Sequence, residues 1–181
     1  MRDIGLIGRA GTGKTTLAQE ISRQHQYVRL SIADGLRDLS RTAHDHFEKG
    51  LRYPRMRDGN VELVSGRELL IELGHALRSV DSHFLLRQWL RRREGSWYPT
   101  ITDDIRLDAE VDFIRAWRPD TLFVRLVRPT DAELQRWQGD ITERQPDQLP
   151  AELVLDTSQL SVRECIREIM QAAMHTERER R

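Results

Sequence analysis

Near its start the chain carries Gly8-Arg9-Ala10-Gly11-Thr12-Gly13-Lys14-Thr15, a segment that fits the phosphate-loop pattern G-x-x-x-x-G-K-[ST]. The apolar run Asp3-Ile4-Gly5-Leu6-Ile7 before it suits a buried strand. After it, Leu17, Ala18 and Ile21 share one helical stripe. The sequence therefore predicts a strand, a glycine loop and a helix in succession, which is the context that the pattern requires.

The residue types of this loop suit the binding of a polyphosphate. Gly8, Gly11 and Gly13 lack a Cβ atom, so the loop can adopt positive φ angles and bring its N–H groups close to an anion. The start of the following helix adds partial positive charge. Lys14 is expected to reach the β- and γ-phosphates, and the Thr15 hydroxyl to ligate Mg²⁺. The alternative is a glycine-rich turn that binds nothing.

Lysine is rare in this chain, which makes its position in the loop informative. Only two of the 29 basic residues are lysines, Lys14 and Lys49. A sequence that otherwise uses arginine has lysine where a compact point charge is needed.

The composition predicts a single cytoplasmic domain. The 181 residues are enough for one sizeable core, and 29 basic residues balance 29 acidic ones, so no overall field attracts nucleic acid or a membrane. No apolar run is long enough to cross a bilayer, and no signal peptide is recognisable. The single cysteine, Cys165, fits a reducing compartment and falls on the apolar stripe of the last predicted helix, so we expect it in the core.

Four further strands are predicted, over residues 27–32, 98–103, 121–127 and 152–156. Charged residues lie at or just after the ends of the first three. Asp34 stands where a helix begins, either to accept a proton or orient an acceptor, or to cap the helix. Asp103 and Asp104 end the second of these strands, where a phosphate-loop protein places an Mg²⁺-linked aspartate, and the sequence does not choose between them. Arg128 ends the third and is expected to reach over the phosphates.

Residues 67–80 form the clearest amphipathic helix, with Ser65 and Glu68 as a capping box. Its predicted apolar stripe consists of Leu69, Leu70, Leu73, Ala76, Leu77 and Val80. On the other face Arg67 and Arg78 lie about three turns apart and point the same way, with Gly74 between them. This face can bind an anion, or it can be a solvated face with an Arg78–Asp81 pair.

Other segments are assigned less specifically. Residues 48–65 are expected to be a loop or an excursion over the sheet, with a pattern too weak to assign, and their arginines either help to bind an anion or are solvated. Helices are predicted over 83–93 and 107–117, the second with Glu110 one turn beyond Arg106 and close enough to pair with it. A helical piece is predicted after Arg128, a polar loop over 139–150, and a last helix capped by Ser161.

The order of these motifs resembles a known family. The phosphate loop is followed by Ala33-Asp34-x-x-Arg37, by Arg67-Glu68-Leu69-Leu70-x-x-Leu73-Gly74-x-x-x-Arg78, by Asp104-Ile105-Arg106-x-x-x-Glu110 and by a strand that ends in Arg128. In this order the chain is similar to the deoxynucleoside monophosphate kinases, many of them phage-encoded, within the P-loop kinases of the adenylate kinase type. The resemblance implies a three-layer α/β/α P-loop NTPase fold with a parallel sheet of about five strands.

The resemblance also implies roles for individual residues. Gly8, Arg9, Ala10, Gly11, Thr12, Gly13, Lys14, Thr15 and Thr16 would hold the phosphates of ATP, with Mg²⁺ at Thr15 and Asp104. Asp34 and Arg37 would lie at the acceptor site, and Arg67, Gly74 and Arg78 would bind the acceptor monophosphate. Asp104 and Arg106 match the strand-end Asp-x-Arg of similar kinases, and Arg128 matches their lid arginine. His75 departs from the small or acidic residue of similar kinases.

The implied organisation is one P-loop kinase domain over residues 1–181, with a helical acceptor-binding insertion at about 34–95 and a short lid at about 128–150. The implied reaction is transfer of the ATP γ-phosphoryl group to a deoxynucleoside monophosphate, in the host cytoplasm if the protein is phage-encoded. Balanced charge disfavours a nucleic-acid partner, and self-association into a homodimer stays open. Two alternatives remain, a kinase that acts on a hydroxymethylated base in phage DNA or on another metabolite, and an ATP-sensing module without phosphoryl transfer.

Overall fold

The computed structural model describes residues 1–44, 46–128 and 145–175. Its strands are β1 (Ile4–Ile7), β2 (Val28–Leu30), β3 (Arg52–Arg57), β4 (Asn60–Ser65), β5 (Thr100–Ile105), β6 (Leu122–Val127) and β7 (Leu153–Asp156). Its helices are α1 (Lys14–His25), α2 (Asp34–Ala43), α3 (Gly66–Val80), α4 (Phe84–Glu94), α5 (Asp108–Trp117) and α6 (Val162–His175). A 3-10 turn covers Gln145–Asp147.

The main sheet has five parallel strands in the order β2-β5-β1-β6-β7, with helices on both sides. This confirms the expected three-layer α/β/α architecture. The first strand of the chain lies in the middle of the sheet, between β5 and β6. The loop after β1 therefore opens at the carboxyl edge of the central strands, where open α/β sheets bind their ligands.

Most of the buried apolar side chains lie between one face of the sheet and the helices α1 and α6. Ile4 and Leu6 of β1 contact the same cluster as Leu17 of α1 and Ile169 of α6. Cys165 is 1% exposed within this cluster, so its predicted place in the core is confirmed. Alternation along β1 sends the next residues to the opposite face, as expected for a strand that is covered on both sides.

The opposite face packs against α5. A Cβ atom added to Gly5 would lie 2.6 Å from Cδ1 of Ile105 and 3.0 Å from Cδ1 of Phe123, so these side chains occupy the space that glycine leaves. The guanidinium of Arg115, from α5, lies 5.0 Å from the centre of the Phe123 ring. Val111 of α5 is also buried. These contacts cover the second face of the sheet.

The chain divides into two compact units, residues 1–31 with 92–181, and residues 32–91. The second unit contains α2, the hairpin of β3 and β4, α3 and most of α4. Arg55 of β3 pairs with Glu62 of β4 and with Glu72 of α3, so one guanidinium links the hairpin to the helix. Tyr53 and Val64 are each 7% exposed and form the buried face of the hairpin.

Of the two expectations for residues 48–65, the loop is wrong, because most of this segment forms an antiparallel hairpin. Asp58 and Gly59 form its two-residue turn with φ angles of 51° and 78°. Positive φ at both positions is the requirement of a type I′ turn, and Asp-Gly is a preferred sequence for it. The dipeptide was therefore a usable hairpin signal.

The predicted helix at 67–80 is confirmed as α3, including its Ser65–Glu68 capping box. Its apolar stripe is only partly confirmed. Leu70 is buried, whereas Ala76 is exposed and Val80 is 87% exposed. Periodicity indicates which residues share a face, but it does not say how far along the helix that face is covered.

None of the helices in the described parts of the chain combines the length and the apolar character that a membrane span needs.

Asp3 joins three parts of the first unit from the start of β1. Its carboxylate is 5% exposed and accepts hydrogen bonds from Arg93 at 2.8 and 3.1 Å, from Arg118 at 3.0 Å and from the backbone N–H of Thr100 at 2.8 Å. Two guanidinium groups and one N–H thus compensate a buried charge. They tie the ends of α4 and α5 to the edge of the sheet.

Replacement of Asp3 by alanine is expected to lower the free energy of unfolding by about 3–5 kcal/mol, because it leaves the largely buried Arg93 guanidinium and the buried Thr100 N–H without their partner. Urea unfolding measures this loss. The matched control is Asp38→Ala, which removes an exposed pair with Arg41 and should cost at most about 1 kcal/mol. Equal losses in the two variants would contradict the role of Asp3.

Candidate active site

The loop after β1 has the backbone conformation that its glycines predict. Gly8, Gly11 and Gly13 have φ angles of 152°, 79° and 88°. A Cβ atom at Gly8 would lie 2.6 Å from the carbonyl oxygen of Leu126 and 2.8 Å from Oγ1 of Thr12. Only glycine fits this position, since β6 approaches the loop from one side and Thr12 from the other.

The Lys14 side chain lies inside the loop. Its ammonium group donates to the carbonyl oxygen of Gly8 at 2.6 Å and to that of Arg9, and it lies 3.4 Å from Oγ1 of Thr12. Lys14 is only 6% exposed. Backbone carbonyl oxygens therefore hold a compact cation at the centre of a cradle whose N–H groups suit an anion.

Arg128 and the segment after β7 both contact the loop. Oγ1 of Thr157 donates to the carbonyl oxygen of Thr12 at 3.1 Å. The Arg128 guanidinium donates to the carbonyl oxygens of Gly11 at 3.3 Å and Thr157 at 2.9 Å, while its side chain stays exposed. The structure thus places Arg128 at the rim of the phosphate loop. The predicted lid and helical piece beyond it fall largely on residues 129–144, outside the described residues.

Arg9 adds a contact that the sequence did not predict. Its guanidinium pairs with the carboxylate of Asp147, in the 3-10 turn that precedes β7. Arg125 donates to the carbonyl oxygens of Asp147 and Leu149 at 2.7 and 3.0 Å, which holds the same turn against β6. Arg9 and Asp147 are 138 residues apart, and no local sequence pattern links them.

Asp103, the fourth of the six residues of β5, is a buried carboxylate beside the start of α1. Arg29 donates to its Oδ2 atom through Nε at 3.0 Å and through Nη2 at 2.8 Å. Its Oδ1 atom is buried and has no hydrogen-bond partner among the described residues, although the Thr15 hydroxyl lies close enough to affect the carboxylate. Burial and the neighbouring Asp104 raise the pKa of Asp103, and Arg29 and Thr15 oppose them.

The adjacent Asp104 has different surroundings. Its carboxylate accepts a hydrogen bond from the Ser31 hydroxyl. The Thr15 contact therefore favours Asp103 as the carboxylate that faces the start of α1. Sequence reasoning missed Arg29, and the available signal was a charged residue inside a short apolar strand.

Glu110 caps α5. Its carboxylate accepts hydrogen bonds from the backbone N–H groups of Arg106 at 2.7 Å and Leu107 at 3.1 Å, and it is 8% exposed. The segment that carries Arg106 is thereby held at the end of β5.

In the second unit, Asp34 and Arg37 form an ion pair on the first turn of α2. Ala33 is the N-cap residue of this helix, so the alternative that Asp34 serves as a plain N-cap is wrong. Both side chains are partly exposed, at 33% and 21%. A carboxylate and a guanidinium are thus presented together where α2 begins.

Arg78 lies over Gly74 on α3, as the helical spacing predicted. A Cβ atom added to Gly74 would lie 3.2 and 3.4 Å from the two terminal nitrogens of Arg78, and 3.4 Å from Cδ1 of Leu36 on α2. The predicted alternative was a pair with Asp81, but Asp81 pairs with Arg87. Within the described residues Arg78 has neither an ion pair nor a hydrogen bond, although its side chain is half-buried.

The predicted site residues therefore fall into two groups. The first unit brings together the phosphate loop, Thr15, the two aspartates of β5 and Arg128. The second unit carries the predicted acceptor residues Asp34, Arg37, Arg67, Gly74 and Arg78 on α2 and α3.

No protein-family model matches this sequence, and a search of curated proteins gives no match. Among solved structures the chain is similar to TT1252 from Thermus thermophilus, with a TM-score of 0.53 and 17% identity over 95% of this chain and 98% of that chain. Shikimate kinase from Aquifex aeolicus aligns with a TM-score of 0.49 and 12% identity, over 98% of each chain. The APS kinase CysC from Mycobacterium tuberculosis aligns with 0.46 and 14%, over 94% and 96%.

The likeness to the two kinases is weaker, with TM-scores below 0.5. The likeness to TT1252 concerns the fold alone. Together with the strand order and the conformation of residues 8–15, it identifies a three-layer α/β/α P-loop fold.

The raised pKa of Asp103 has a measurable consequence for stability. Since this pKa lies higher in the folded chain than in the unfolded chain, the proton stabilises the fold below the unfolded pKa, and that stability is lost as the pH rises through the folded pKa. The wild type is therefore expected to gain stability relative to Asp103→Asn as the pH falls from about 7 toward about 4.

Urea unfolding of both proteins in EDTA, at a series of pH values, measures this difference. Asp38→Asn, at an exposed pair with Arg41, is the matched control for the replacement of a paired aspartate by asparagine. A wild type that loses stability relative to Asp103→Asn on acidification would contradict the raised pKa.

Proposed function

We propose that this protein is a nucleotide kinase that transfers the γ-phosphoryl group of ATP to a deoxynucleoside monophosphate. The observation that carries the proposal is that one chain has both a phosphate loop around Lys14 and a half-buried Arg78 that has no partner among the described residues. The first suits a polyphosphate donor, and the second suits a phosphate-bearing acceptor. The motif order described above is the support for a deoxynucleoside monophosphate as that acceptor.

ATP is the proposed donor at the phosphate loop. Gly8, Arg9, Ala10, Gly11, Thr12, Gly13, Lys14, Thr15 and Thr16 would hold its phosphates. The fit is supported by the positive φ angles of Gly8, Gly11 and Gly13, which suit a loop whose N–H groups face an anion, and by the Lys14 ammonium inside the loop. Arg128, at the loop rim, supplies a further positive charge for the transferred group.

Mg²⁺ is the proposed metal, held by the Thr15 hydroxyl and a strand-end carboxylate. Asp104 was the residue implied by the family resemblance. Asp103 is the better candidate, because its buried Oδ1 atom has no hydrogen-bond partner among the described residues and Thr15 lies beside it. A hydroxyl and a carboxylate are oxygen ligands that suit this ion. When bound, Mg²⁺ would neutralise phosphate charge.

The acceptor phosphate is proposed to bind at Arg78, whose guanidinium lies against Gly74 where a larger residue would have its side chain. Arg67 stands about three turns earlier on the same side of α3. Asp34 and Arg37 are proposed to orient the acceptor at the start of α2, Arg37 through its guanidinium. Arg106 is proposed as a further acceptor contact.

In the proposed reaction a phosphate oxygen of the acceptor attacks the γ-phosphorus of ATP. A new bond forms between that oxygen and the phosphorus, and the bond from the γ-phosphorus to the β–γ bridging oxygen breaks. The products are ADP and a deoxynucleoside diphosphate. The protein contributes positioning and charge stabilisation, through Lys14 at the donor, Arg78 at the acceptor and Arg128 at the loop rim.

The first test measures ADP release from Mg·ATP with each of the four deoxynucleoside monophosphates and their hydroxymethylated forms. Release is expected to depend on one or two acceptors. Lys14→Ala should lower kcat/KM about 100- to 1,000-fold, because it removes a charged donor to the transferring phosphate. Circular dichroism checks that the variant stays folded. Tight ATP binding without acceptor-dependent release would contradict the kinase proposal and favour a nucleotide-sensing module.

Arg78→Ala tests the acceptor assignment. It is expected to raise KM for the acceptor about 10- to 100-fold, the equivalent of one charge-assisted hydrogen bond, and to leave KM for ATP unchanged. Arg41→Ala, at an exposed position of α2, is the matched control and should change neither constant. Full acceptor affinity in Arg78→Ala would overturn the assignment of α3.

A further inference from the structure

Three aromatic rings form a cluster beside the first turn of α3. The rings of Phe47 and Tyr53 stack with a centroid distance of 5.0 Å and an interplanar angle of 19°. His44 lies 4.7 Å from Tyr53, tilted by 46°, and 6.4 Å from Phe47. This ring cluster, His44 with Phe47 and Tyr53, has no part in the phosphate loop or in the contacts of Arg78.

Tyr53 and Gly66 hold the cluster in place. The buried Tyr53 hydroxyl accepts a hydrogen bond from the backbone N–H of Glu48 at 2.7 Å and donates to the carbonyl oxygen of His46 at 3.0 Å. A Cβ atom added to Gly66 would lie 3.1 Å from Cζ of Phe47, so the edge of that ring rests on the first residue of α3. The positions of the rings are therefore set by the fold.

The cluster leaves ring surface open to solvent. Tyr53 is buried, whereas the side chains of His44 and Phe47 are only half-buried. Aromatic rings that are held rigidly and partly exposed can stack on a planar heteroaromatic group at little cost in conformational entropy.

The helix α3 gives the spacing between this cluster and Arg78. Phe47 rests on Gly66, and the Arg78 guanidinium lies over Gly74, eight residues later. Eight residues of α-helix correspond to about 12 Å along the axis and about 80° around it, so both positions lie on one half of the helix surface. An extended mononucleotide can bridge such a separation.

The capping box closes the backbone at the aromatic end of this surface to anions. The Glu68 carboxylate accepts hydrogen bonds from the N–H and hydroxyl groups of Ser65, so a negative charge already occupies the start of α3. At this end the charge of Glu68 is adjacent in sequence to that of Arg67, whereas Arg78 at the other end has no partner among the described residues. The phosphate of a ligand therefore belongs at the Arg78 end, and its uncharged part belongs at the ring cluster.

We infer that the ring cluster is the base-binding part of the acceptor site. The heteroaromatic base of a deoxynucleoside monophosphate stacks on His44 and Phe47, while its phosphate binds at Arg78. The inference rests on the proposed function and extends it, since it assigns the direction in which the acceptor lies along α3.

The test uses Phe47→Leu and His44→Leu, which keep an apolar side chain and remove the ring. Each variant is expected to raise KM for the preferred deoxynucleoside monophosphate on the order of tenfold, the range of one base–aromatic stack, with KM for ATP unchanged. The matched control is Phe113→Leu, a half-buried aromatic of the first unit, which should change neither constant.

A second acceptor, 2-deoxyribose 5-phosphate, distinguishes the loss of base stacking from a general loss of folded structure in the variants. It has the phosphate but no base, so the Phe47 and His44 variants should handle it as the wild type does. Equal losses with both acceptors, or no loss with either, would overturn the inference.

Equilibrium binding keeps the inference separate from the proposed reaction. If the wild type phosphorylates no deoxynucleoside monophosphate, the proposed function fails. Binding of each of the four monophosphates, measured by calorimetry, then decides whether the ring cluster binds the base. Affinity that falls about tenfold in Phe47→Leu and His44→Leu supports the ring cluster as the base site. Absent binding, or binding that the variants leave unchanged, rejects it.

Discussion

The close approach of the phosphate loop to β6 is the constraint on which the first unit depends. Gly8 lies against the Leu126 carbonyl oxygen with no room for a Cβ atom. Because β6 borders β1 in the sheet, this approach brings Arg128 and the segment after β7 to the loop as well. One position without a side chain thus assembles contacts from three separate stretches of the chain.

The buried or half-buried charged groups discussed above differ between the two units in whether they have a partner of opposite charge. In the first unit, Asp3 and Asp103 are almost fully buried, and arginines pair with both of them. A paired carboxylate mainly preserves the fold, because the cost of its burial is offset by its partners. In the second unit Arg78 is half-buried and has no such partner among the described residues. An arginine in that state favours an anion that the protein itself does not supply.

The parts of the fold that the sequence predicted correctly are those with a local cause. The glycine pattern predicted the positive φ angles at Gly8, Gly11 and Gly13, and helical spacing predicted that Arg78 would lie over Gly74. Apolar runs predicted the central strands, although their bounds shifted by one or two residues. In each case the cause lies within about a dozen residues of its effect.

What the sequence did not predict depends on partners that are distant along the chain, or on a short signal that was overlooked. Arg29 meets Asp103 across 74 residues, and Arg9 meets Asp147 across 138. Such pairings follow from strand order, which periodicity does not contain. The hairpin had a local signal in Asp58-Gly59, but the arginines around it obscured the alternation. The exposed end of α3 shows that the apolar stripe of a helix does not reveal which other segment covers it, or over what length.

The interleaved course of the chain has a consequence for synthesis on the ribosome. The second unit is one continuous segment, residues 32–91, and its hairpin and helices meet through short loops, so its contacts can form early. The phosphate loop is translated before the second unit, but it belongs to a strand whose neighbours, β5 and β6, are translated about a hundred residues later. Loop closure over that length is slow and costly in entropy. The cradle therefore leaves the ribosome before the second unit but acquires its shape after it.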